Sequence, residues 1–132
     1  METLKTDHLP HPEGELTLRV QAMPRDTNPD NDIFGGWVVS QMDLAAEMSA
    51  RQVAHGRVAT VAIDKLVFMR PIEVGDVVSF YTIVSSTGRS SIQVQVEAWT
   101  RNPVADEEHK VTEEAVAKPV STGNIHTAAD SP

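Results

Sequence analysis

The spacing of hydrophobic positions along the chain changes twice, and each change marks a predicted element. Over Glu15–Met23 apolar and polar residues alternate, which is typical of a half-buried β-strand. A loop is predicted at 24–32, because its Pro, Asp and Asn residues favour turns. Over Gly36–Ala54 apolar residues recur at helical spacing. This pattern predicts one long helix that ends at His55-Gly56, where glycine can take the left-handed cap conformation.

After the helix the period becomes two. Strands are predicted at 57–69, 77–85 and 90–100, with a turn at 86–88 and a shortened last strand at 108–117. The connections are too short for parallel crossovers, which need a dozen or more residues. One long helix against an antiparallel sheet defines the α+β class. A curved sheet covers only one side of such a helix, so we expect a dimer.

Charge and composition separate the ends of the chain from its middle. The length of 132 residues predicts one domain, and the net charge is −8. Most of this charge lies at the ends, with −3 over 1–15 and −4 over 103–132, which leaves −1 for 16–102. Both ends are rich in Pro, Thr, Ser and Ala, which is typical of solvated tails. We therefore expect an N-terminal tail at 1–14, a domain at 15–117 and a disordered C-terminal tail at 118–132.

Composition also excludes several classes of function. An acidic chain lacks the basic surface that nucleic acid requires, so no nucleic-acid partner is expected. Zero cysteines exclude a disulfide scaffold, thiolate zinc sites and a cysteine nucleophile. The five histidines are scattered without ligand spacing, so no metal site is predicted. No apolar run approaches the roughly 20 residues of a membrane span, and no secretory signal is visible, so we expect a cytoplasmic protein.

Candidate chemistry is concentrated at the start of the predicted helix. Gly35 and Gly36 leave the first backbone N–H groups unobstructed, at the positive end of the helix dipole, where an oxyanion or a phosphate can bind. Asp43 lies about two turns further on, among small and apolar neighbours. A carboxylate in such a place is costly unless it is paired or functional. The alternative, an exposed or capped surface aspartate, stays open at this point.

Several motifs resemble the YciA-type acyl-CoA thioesterases of the hotdog fold, in register from about Glu15 to Thr112. They are Ala22-Met23-Pro24, Asp26-Thr27-Asn28, Asp32-Ile33-Phe34-Gly35-Gly36-Trp37, Ser40-Gln41-Met42-Asp43, Ala54-His55-Gly56-Arg57, Phe68-Met69-Arg70-Pro71, Val74-Gly75-Asp76-Val77 and Gly88-Arg89-Ser90-Ser91. The resemblance implies a long central helix wrapped by about five antiparallel strands. It implies protomers that pair into a ten-stranded sheet, often as a trimer of dimers. The family reaction hydrolyses acyl-CoA to a free acid and CoA, in fatty acid metabolism, with CoA as substrate and product rather than cofactor.

The resemblance also implies roles for individual residues. Asp43 would be the catalytic carboxylate, acting as general base or as nucleophile, and Asp32 would lie beside the scissile bond on the facing subunit. The N–H groups of Gly35 and Gly36 would polarise the thioester carbonyl. Glu47 lies one turn beyond Asp43. Its charge would raise the pKa of the catalytic carboxyl, or its side chain would narrow the acyl pocket.

Substrate binding is expected from a second set of residues, because CoA carries a diphosphate and a 3′-phosphate. The set is Asn28, Arg57, Arg70, Arg89, Ser90 and Ser91. For Arg89 the alternative is a hairpin charge in solvent, and for Arg70 it is a surface charge at a strand end. His55 is interpreted as a helix-end residue rather than a catalytic one.

The resemblance weakens towards the C-terminus. Glu114 resembles a one-residue insertion, which would invert the faces of the strand after it. Pro119 cannot donate to a ladder, so we expect it to end the last strand or to lie at its edge. The altered end keeps a second hypothesis open, a catalytically weak protein that binds acyl-CoA. A hydratase is disfavoured because no histidine follows the Asn-Asp-Ile-Phe loop.

Overall fold

The structure is a computed structural model that describes residues 11–64, 66–112 and 115–121. It contains the helix α1 (Gly35–Ala54), a short 3₁₀ turn (Pro24–Asp26) and the strands β1 (Glu15–Gln21), β2 (Val58–Asp64), β3 (Val77–Thr87), β4 (Ile92–Arg101), β5 (His109–Lys110) and β6 (Ala115–Ser121). The helix packs against an antiparallel sheet whose strand order is β1-β3-β4-β6-β2, and β5 pairs with β4. The predicted α+β class, with one long helix against about five main strands, is confirmed.

The core lies between α1 and the sheet. Ile92, Val94, Val96 and Ala98 of β4 are all buried, as their alternation predicts. The buried side of α1 consists of Val38, Met42, Ala45, Ala46, Ala50 and Ala54. Four alanines among these six positions let the helix approach the strands closely. No helix in the described part of the chain is long and apolar enough to cross a membrane.

The two ends of α1 differ in detail from the prediction. The helix begins at Gly35, one residue earlier than predicted. At its other end the residue in the left-handed conformation is His55, with φ 56°, and not Gly56. The His55 N–H donates to the Arg51 carbonyl at 2.8 Å, so the backbone closes the last turn before the glycine is reached. The expectation of a glycine cap is therefore wrong.

The predicted strand 57–69 is too long. β2 ends at Asp64, and Phe68 instead forms a bridge with Thr112. The Met69 N–H donates to the Val111 carbonyl at 2.6 Å, and the Val111 N–H donates to Ala98 of β4 at 2.8 Å. The chain thus leaves the β2 ladder and pairs at the other end of the sheet, beyond the start of α1. The predicted turn at 86–88 is also displaced, because β3 continues to Thr87.

The prediction for the C-terminal strand is also wrong. The last strand does not span 108–117 but is divided into β5 and β6, and β6 continues through Pro119 to Ser121. Val94↔Ala117 and Ser91↔Val120 lie in one register, so Pro119 falls where the ladder between β4 and β6 is interrupted. A residue without an N–H is tolerated there. Glu114, the proposed insertion, and the tail segments 1–10 and 122–132 lie outside the described residues.

A polar network covers the outer face of the sheet, opposite α1. The Tyr81 hydroxyl donates to Glu108 Oε1 at 2.6 Å, and Arg19 Nη2 lies 3.7 Å from Glu108 Oε2. Burial, together with the hydrogen bond and the negative charge of Glu108, raises the pKa of Tyr81 above its ordinary value of 10.0, with Arg19 opposing the shift. Tyr81 therefore serves as a neutral donor in this network.

Candidate active site at the start of the helix

The loop before α1 is shaped by Asn28. Its side-chain Oδ1 accepts hydrogen bonds from the backbone N–H of Asp30 at 2.9 Å and of Asp32 at 3.1 Å. Its own N–H donates to the Asp32 carbonyl at 2.8 Å, and Asn31 takes the left-handed conformation with φ 65°. The side-chain oxygen of Asn28 is thus occupied by hydrogen bonds within the loop, and Asp32 lies exposed on this loop.

The base of this loop is closed by Asp26. Asp26 Oδ2 accepts the Met23 N–H at 3.0 Å, and the Asp26 carbonyl accepts the Phe34 N–H at 3.1 Å. An isolated bridge between Thr27 and Ile33 joins the two sides of the loop. These contacts fix the direction in which the chain enters α1.

The first two helical N–H groups have no acceptor within the described part of the chain. The N–H groups of Trp37 and Val38 donate to the Phe34 carbonyl, at 3.1 and 3.4 Å, whereas no acceptor is found for those of Gly35 and Gly36. The N-cap residue is Phe34, which has no side-chain oxygen to satisfy them. These donors, at the positive end of the helix dipole, can stabilise a developing oxyanion.

A cavity of about 400 Å³ lies beside this helix start. Its wall consists of Ile33, Gly35, Val38, Phe68, Met69, Arg70, Pro71, Ile72 and Val111. The volume falls within the range of about 300–1,000 Å³ that is usual for small-molecule pockets. The sequence does not reveal this cavity, because the contact of the Phe68 segment with the helix start depends on long-range pairing with Val111 and Thr112.

Asp43 carries a buried carboxylate oxygen. The side chain is half-buried, and Oδ1 has no hydrogen-bond partner among the described residues. Leaving a buried acceptor unsatisfied costs about 1–3 kcal/mol, more for a charged group, so a position of this kind calls for a ligand or another subunit. The neighbouring carboxylate, Glu47, is paired with Arg51 at 3.0 Å. Its charge is therefore partly neutralised within the helix surface.

The remaining candidate residues lie at the other end of α1. In the turn after β3, the Gly88 N–H donates to the Ser91 carbonyl at 2.7 Å, and Arg89, Ser90 and Ser91 are exposed. The Ser90 carbonyl accepts the Ser121 N–H at 2.8 Å. Ser121 pairs with Val58 of β2, which follows Arg57 directly. The β-ladder thus brings Arg57 close to the turn.

One protomer therefore holds two separate groups of candidate residues. Asn28, Asp32, Gly35, Gly36 and Arg70 lie near the helix start, and Arg57, Arg89, Ser90 and Ser91 lie near its end. A 20-residue helix is about 30 Å long, and Asp43 is about 12 Å along it from Gly35. Asp43 and the two glycine N–H groups of one chain do not converge on the same atom.

Comparison with known proteins agrees with this description. The sequence model of the thioesterase superfamily matches residues 30–105. The acyl-CoA thioester hydrolase YciA of Salmonella typhimurium is 45% identical over 105 residues, which cover 77% of this chain and 79% of that protein. HI0827, described as a hexameric broad specificity acyl-coenzyme A thioesterase, has a TM-score of 0.84 at 41% identity, covering 92% and 87% of the two chains. Cj0915, a hexameric hotdog fold thioesterase of Campylobacter jejuni, has a TM-score of 0.76 at 39% identity, covering 86% and 90%.

The helix wrapped by a curled antiparallel sheet is thus the hotdog fold, which the resemblance implied. The chain belongs to the thioesterase superfamily. The resemblance to the YciA-type hydrolases is confirmed, and so is the expectation that the chain is an enzyme of the thioester hydrolase class.

Proposed function

We propose that this protein hydrolyses the thioester bond of acyl-CoA and releases a free carboxylic acid and CoA. The observation that carries the proposal is the unpartnered, buried Oδ1 of Asp43 on a helix whose first two N–H groups have no acceptor among the described residues. Thioester hydrolysis requires both kinds of group, a base or nucleophile and a donor for the oxyanion. The similarity to YciA and HI0827 supports acyl-CoA as the substrate class.

The reaction follows from these two kinds of group. An oxygen atom, either of water or of the Asp43 carboxylate, attacks the thioester carbonyl carbon. The N–H groups of Gly35 and Gly36 stabilise the negative charge that develops on the carbonyl oxygen. The carbon–sulfur bond then breaks. As general base, Asp43 takes a proton from the attacking water and returns it to the departing thiolate. As nucleophile, it forms an acyl anhydride that water hydrolyses. Neither route requires a metal or a further cofactor, since CoA is substrate and product.

The proposed site is built from two subunits. Asp43 and the glycine N–H groups of one chain are separated by about two helical turns, so the carboxylate must act on a thioester held at another chain's helix start. β2 is an edge strand of the described sheet, and such an edge can pair with a second copy. Antiparallel pairing of two β2 strands would place the two helices antiparallel. The end of one helix would then lie near the start of the other.

This arrangement gives roles to the remaining residues. Arg57, Arg89, Ser90 and Ser91 of one subunit would bind the phosphates of a CoA whose thioester lies at the other subunit's helix start. Asp32 would lie beside the scissile bond. The hexameric state of HI0827 and Cj0915 is compatible with a trimer of such dimers. We further propose that the enzyme acts on acyl-CoA in fatty acid metabolism, in the cytoplasm.

The decisive experiment measures thiol release from acetyl-, hexanoyl- and palmitoyl-CoA by the wild-type protein and by Asp43→Asn. We expect turnover by the wild type and a loss of about 10²–10⁴-fold in Asp43→Asn, the range that proton transfer by a positioned side chain contributes. The matched control is Asp106→Asn, because Asp106 is exposed in the loop after β4. Undiminished turnover by Asp43→Asn would refute the catalytic role. Calorimetric binding of acyl-CoA without turnover would favour the alternative, a catalytically weak binding protein.

A further inference from the structure

We propose that Arg70 binds a carboxylate at the far end of the acyl chain, so that CoA esters of dicarboxylic acids are preferred substrates. The proposal rests on the proposed function, because it takes the thioester to lie at the helix start. It goes further by assigning a substrate class to the cavity beside Gly35.

The wall of this cavity is apolar except at one residue. Of the nine described residues that line it, eight are apolar or glycine, and Arg70 is the one that carries a charge. The apolar part, which includes Val38, Phe68 and Val111, suits a chain of methylene groups. Arg70 is exposed at the edge of this wall, so its cationic side chain can reach a ligand that enters the cavity, and a purely aliphatic chain would leave that charge unused.

The charge of Arg70 is not used elsewhere in the described part of the chain. No carboxylate oxygen lies within 4.0 Å of it there, and no hydrogen bond to its side chain is formed. By contrast, Arg19 and Arg51 each have a carboxylate partner. Two further cavities, of about 370 and 450 Å³, share Arg70, and both contain Glu107, yet no ion pair forms. Arg70 is thus available to an anionic group of a ligand.

The backbone around Arg70 is fixed. The preceding residue, Met69, donates its N–H to Val111 at 2.6 Å, and the following residue, Pro71, has a restricted φ. The guanidinium is therefore attached to an ordered segment at the wall of the cavity. Arginine recognises a carboxylate through two parallel hydrogen bonds, which makes it selective for this group over a methyl terminus.

The position of Arg70 favours a carboxylate at the end of the acyl chain over the phosphates of CoA as its partner. Arg70 and Gly35 line the same cavity, and Gly35 carries one of the two N–H groups that would hold the thioester carbonyl. The phosphates of CoA are separated from the thioester by the full length of the pantetheine arm. A carboxylate at the end of a short acyl chain stays within the cavity. The acyl end is therefore the anion that Arg70 can reach.

The test compares hexanoyl-CoA with adipoyl-CoA, which have equally long acyl chains but end in a methyl group and a carboxylate. The kcat/KM values of both are measured for the wild type, Arg70→Gln, Arg70→Lys and Arg25→Gln, the last being the same change at an exposed arginine of the 3₁₀ turn. We expect the wild type to prefer adipoyl-CoA. Arg70→Gln should lower the ratio of adipoyl- to hexanoyl-CoA kcat/KM by about tenfold, the effect of one charge-assisted interaction, mainly through KM. Arg70→Lys should retain part of the preference, and Arg25→Gln all of it.

Three results would overturn the assignment. They are a wild-type preference for hexanoyl-CoA, an unchanged ratio in Arg70→Gln, and an equal loss for both substrates, which would place Arg70 on the CoA phosphates. Failure of the wild type to hydrolyse either ester would refute the proposed function itself. Thermal melting of each variant is recorded, so that the ratio of adipoyl- to hexanoyl-CoA kcat/KM is compared only between folded proteins. If Arg70→Gln does not fold, Arg70→Lys provides the comparison.

Discussion

The ring of Phe68 lies beside Gly35 at the start of the helix, close enough to oppose a side chain at that position. A Cβ atom built on Gly35 would lie 3.3 Å from Cε2 and 3.4 Å from Cζ of the Phe68 ring. Gly36, the next residue, has nothing within 4 Å of the same position. The two glycines of the motif therefore have different structural requirements, although both place an N–H group at the helix start.

This difference predicts that replacing each glycine by alanine has a different effect on stability. In a helix, alanine is favoured over glycine by up to about 1 kcal/mol, so Gly36→Ala should raise the melting temperature. Gly35→Ala should gain less or destabilise, because its methyl group presses on the ring of Phe68. Thermal unfolding of the two variants checks this prediction. In a Phe68→Ala background, where the ring is absent, Gly35→Ala should raise the melting temperature. Equal melting temperatures for Gly35→Ala and Gly36→Ala would contradict it.

A second prediction concerns the loop that presents Asp32. Asn28→Ala removes an oxygen that accepts two backbone N–H groups, and each such bond contributes about 0.5–1.5 kcal/mol. We expect a lower free energy of unfolding, and a loss of kcat/KM because Asp32 is no longer held in place. Asn28→Ser, whose hydroxyl makes a weaker version of the same turn, should lie between Asn28→Ala and the wild type. Urea unfolding and thiol-release kinetics measure the two effects, and an Asn28→Ala variant as stable and active as the wild type would refute the role.

A third prediction follows from the raised pKa of Tyr81. Because the folded-state pKa lies above the ordinary value of 10.0, this residue stabilises the fold fully below pH 10, and the contribution is lost as pH rises through the folded pKa. The free energy of unfolding should therefore fall between neutral pH and pH 11 more steeply for the wild type than for Tyr81→Phe. Tyr81 is the single tyrosine of the chain, so absorbance at alkaline pH reports its ionisation directly. Glu108→Gln should lower the pKa of Tyr81, and no change in that variant would exclude the contribution of Glu108.

A fourth prediction tests whether each site uses two subunits. Asp32→Ala and Asp43→Asn should each be nearly inactive alone. Refolded together in equal amounts, they should recover about a quarter of wild-type activity, since half of the dimers are mixed and each mixed dimer has one intact site of two. Asp43→Asn refolded with Asp43→Ala should recover nothing. Absence of recovery in the first mixture, with mixed dimers shown to form, would place both carboxylates of a site in one chain.

The helix α1 and the strand β4 could be predicted from the sequence because the apolar residues on the core side of each recur at one simple period. α1 buries one continuous side, and Ile92, Val94, Val96 and Ala98 of β4 alternate, although β4 is buried on both faces from Val96 to Thr100. The prediction failed where one apolar run contains two separate β segments. The β-rich run that begins at β2 reads as one strand, yet Phe68 leaves that ladder to pair with Thr112. Such pairing depends on a partner more than 40 residues away, which local periodicity does not contain.

Local preferences misled the prediction at single residues. Glycine is the usual residue in a left-handed helix cap, but here His55 adopts it one position earlier. Proline usually ends a strand, but Pro119 lies inside β6 where the ladder to β4 is interrupted. In each case a backbone feature that local sequence does not contain decides the outcome: the His55 N–H closes the last helical turn on Arg51, and the gap in the β4–β6 ladder accommodates a residue without an N–H.

In the candidate site, too, some features could be predicted from the sequence and others required the structure. The glycine pair and Asp43 could be found from the sequence, since their chemistry lies in one helix. Their separation along α1 is equally implied by the helix, but the cavity beside Gly35 and the availability of Arg70 are not. These depend on where the segment after β2 folds back, so they required the structure.

The interruption at Pro119 has a consequence for how the sheet opens. Among the described strands, β2 is joined to the rest only through β6, and β6 is joined to β4 by Val94–Val96 and by one bridge on the far side of the proline. Amide hydrogens of β2 and β6 should therefore exchange with solvent through a local opening of lower free energy than those of β3 and β4. The same β2 edge is the one proposed to receive the second subunit. Assembly would then slow this exchange, so that a part of the sheet that opens readily in the isolated chain becomes protected in the oligomer.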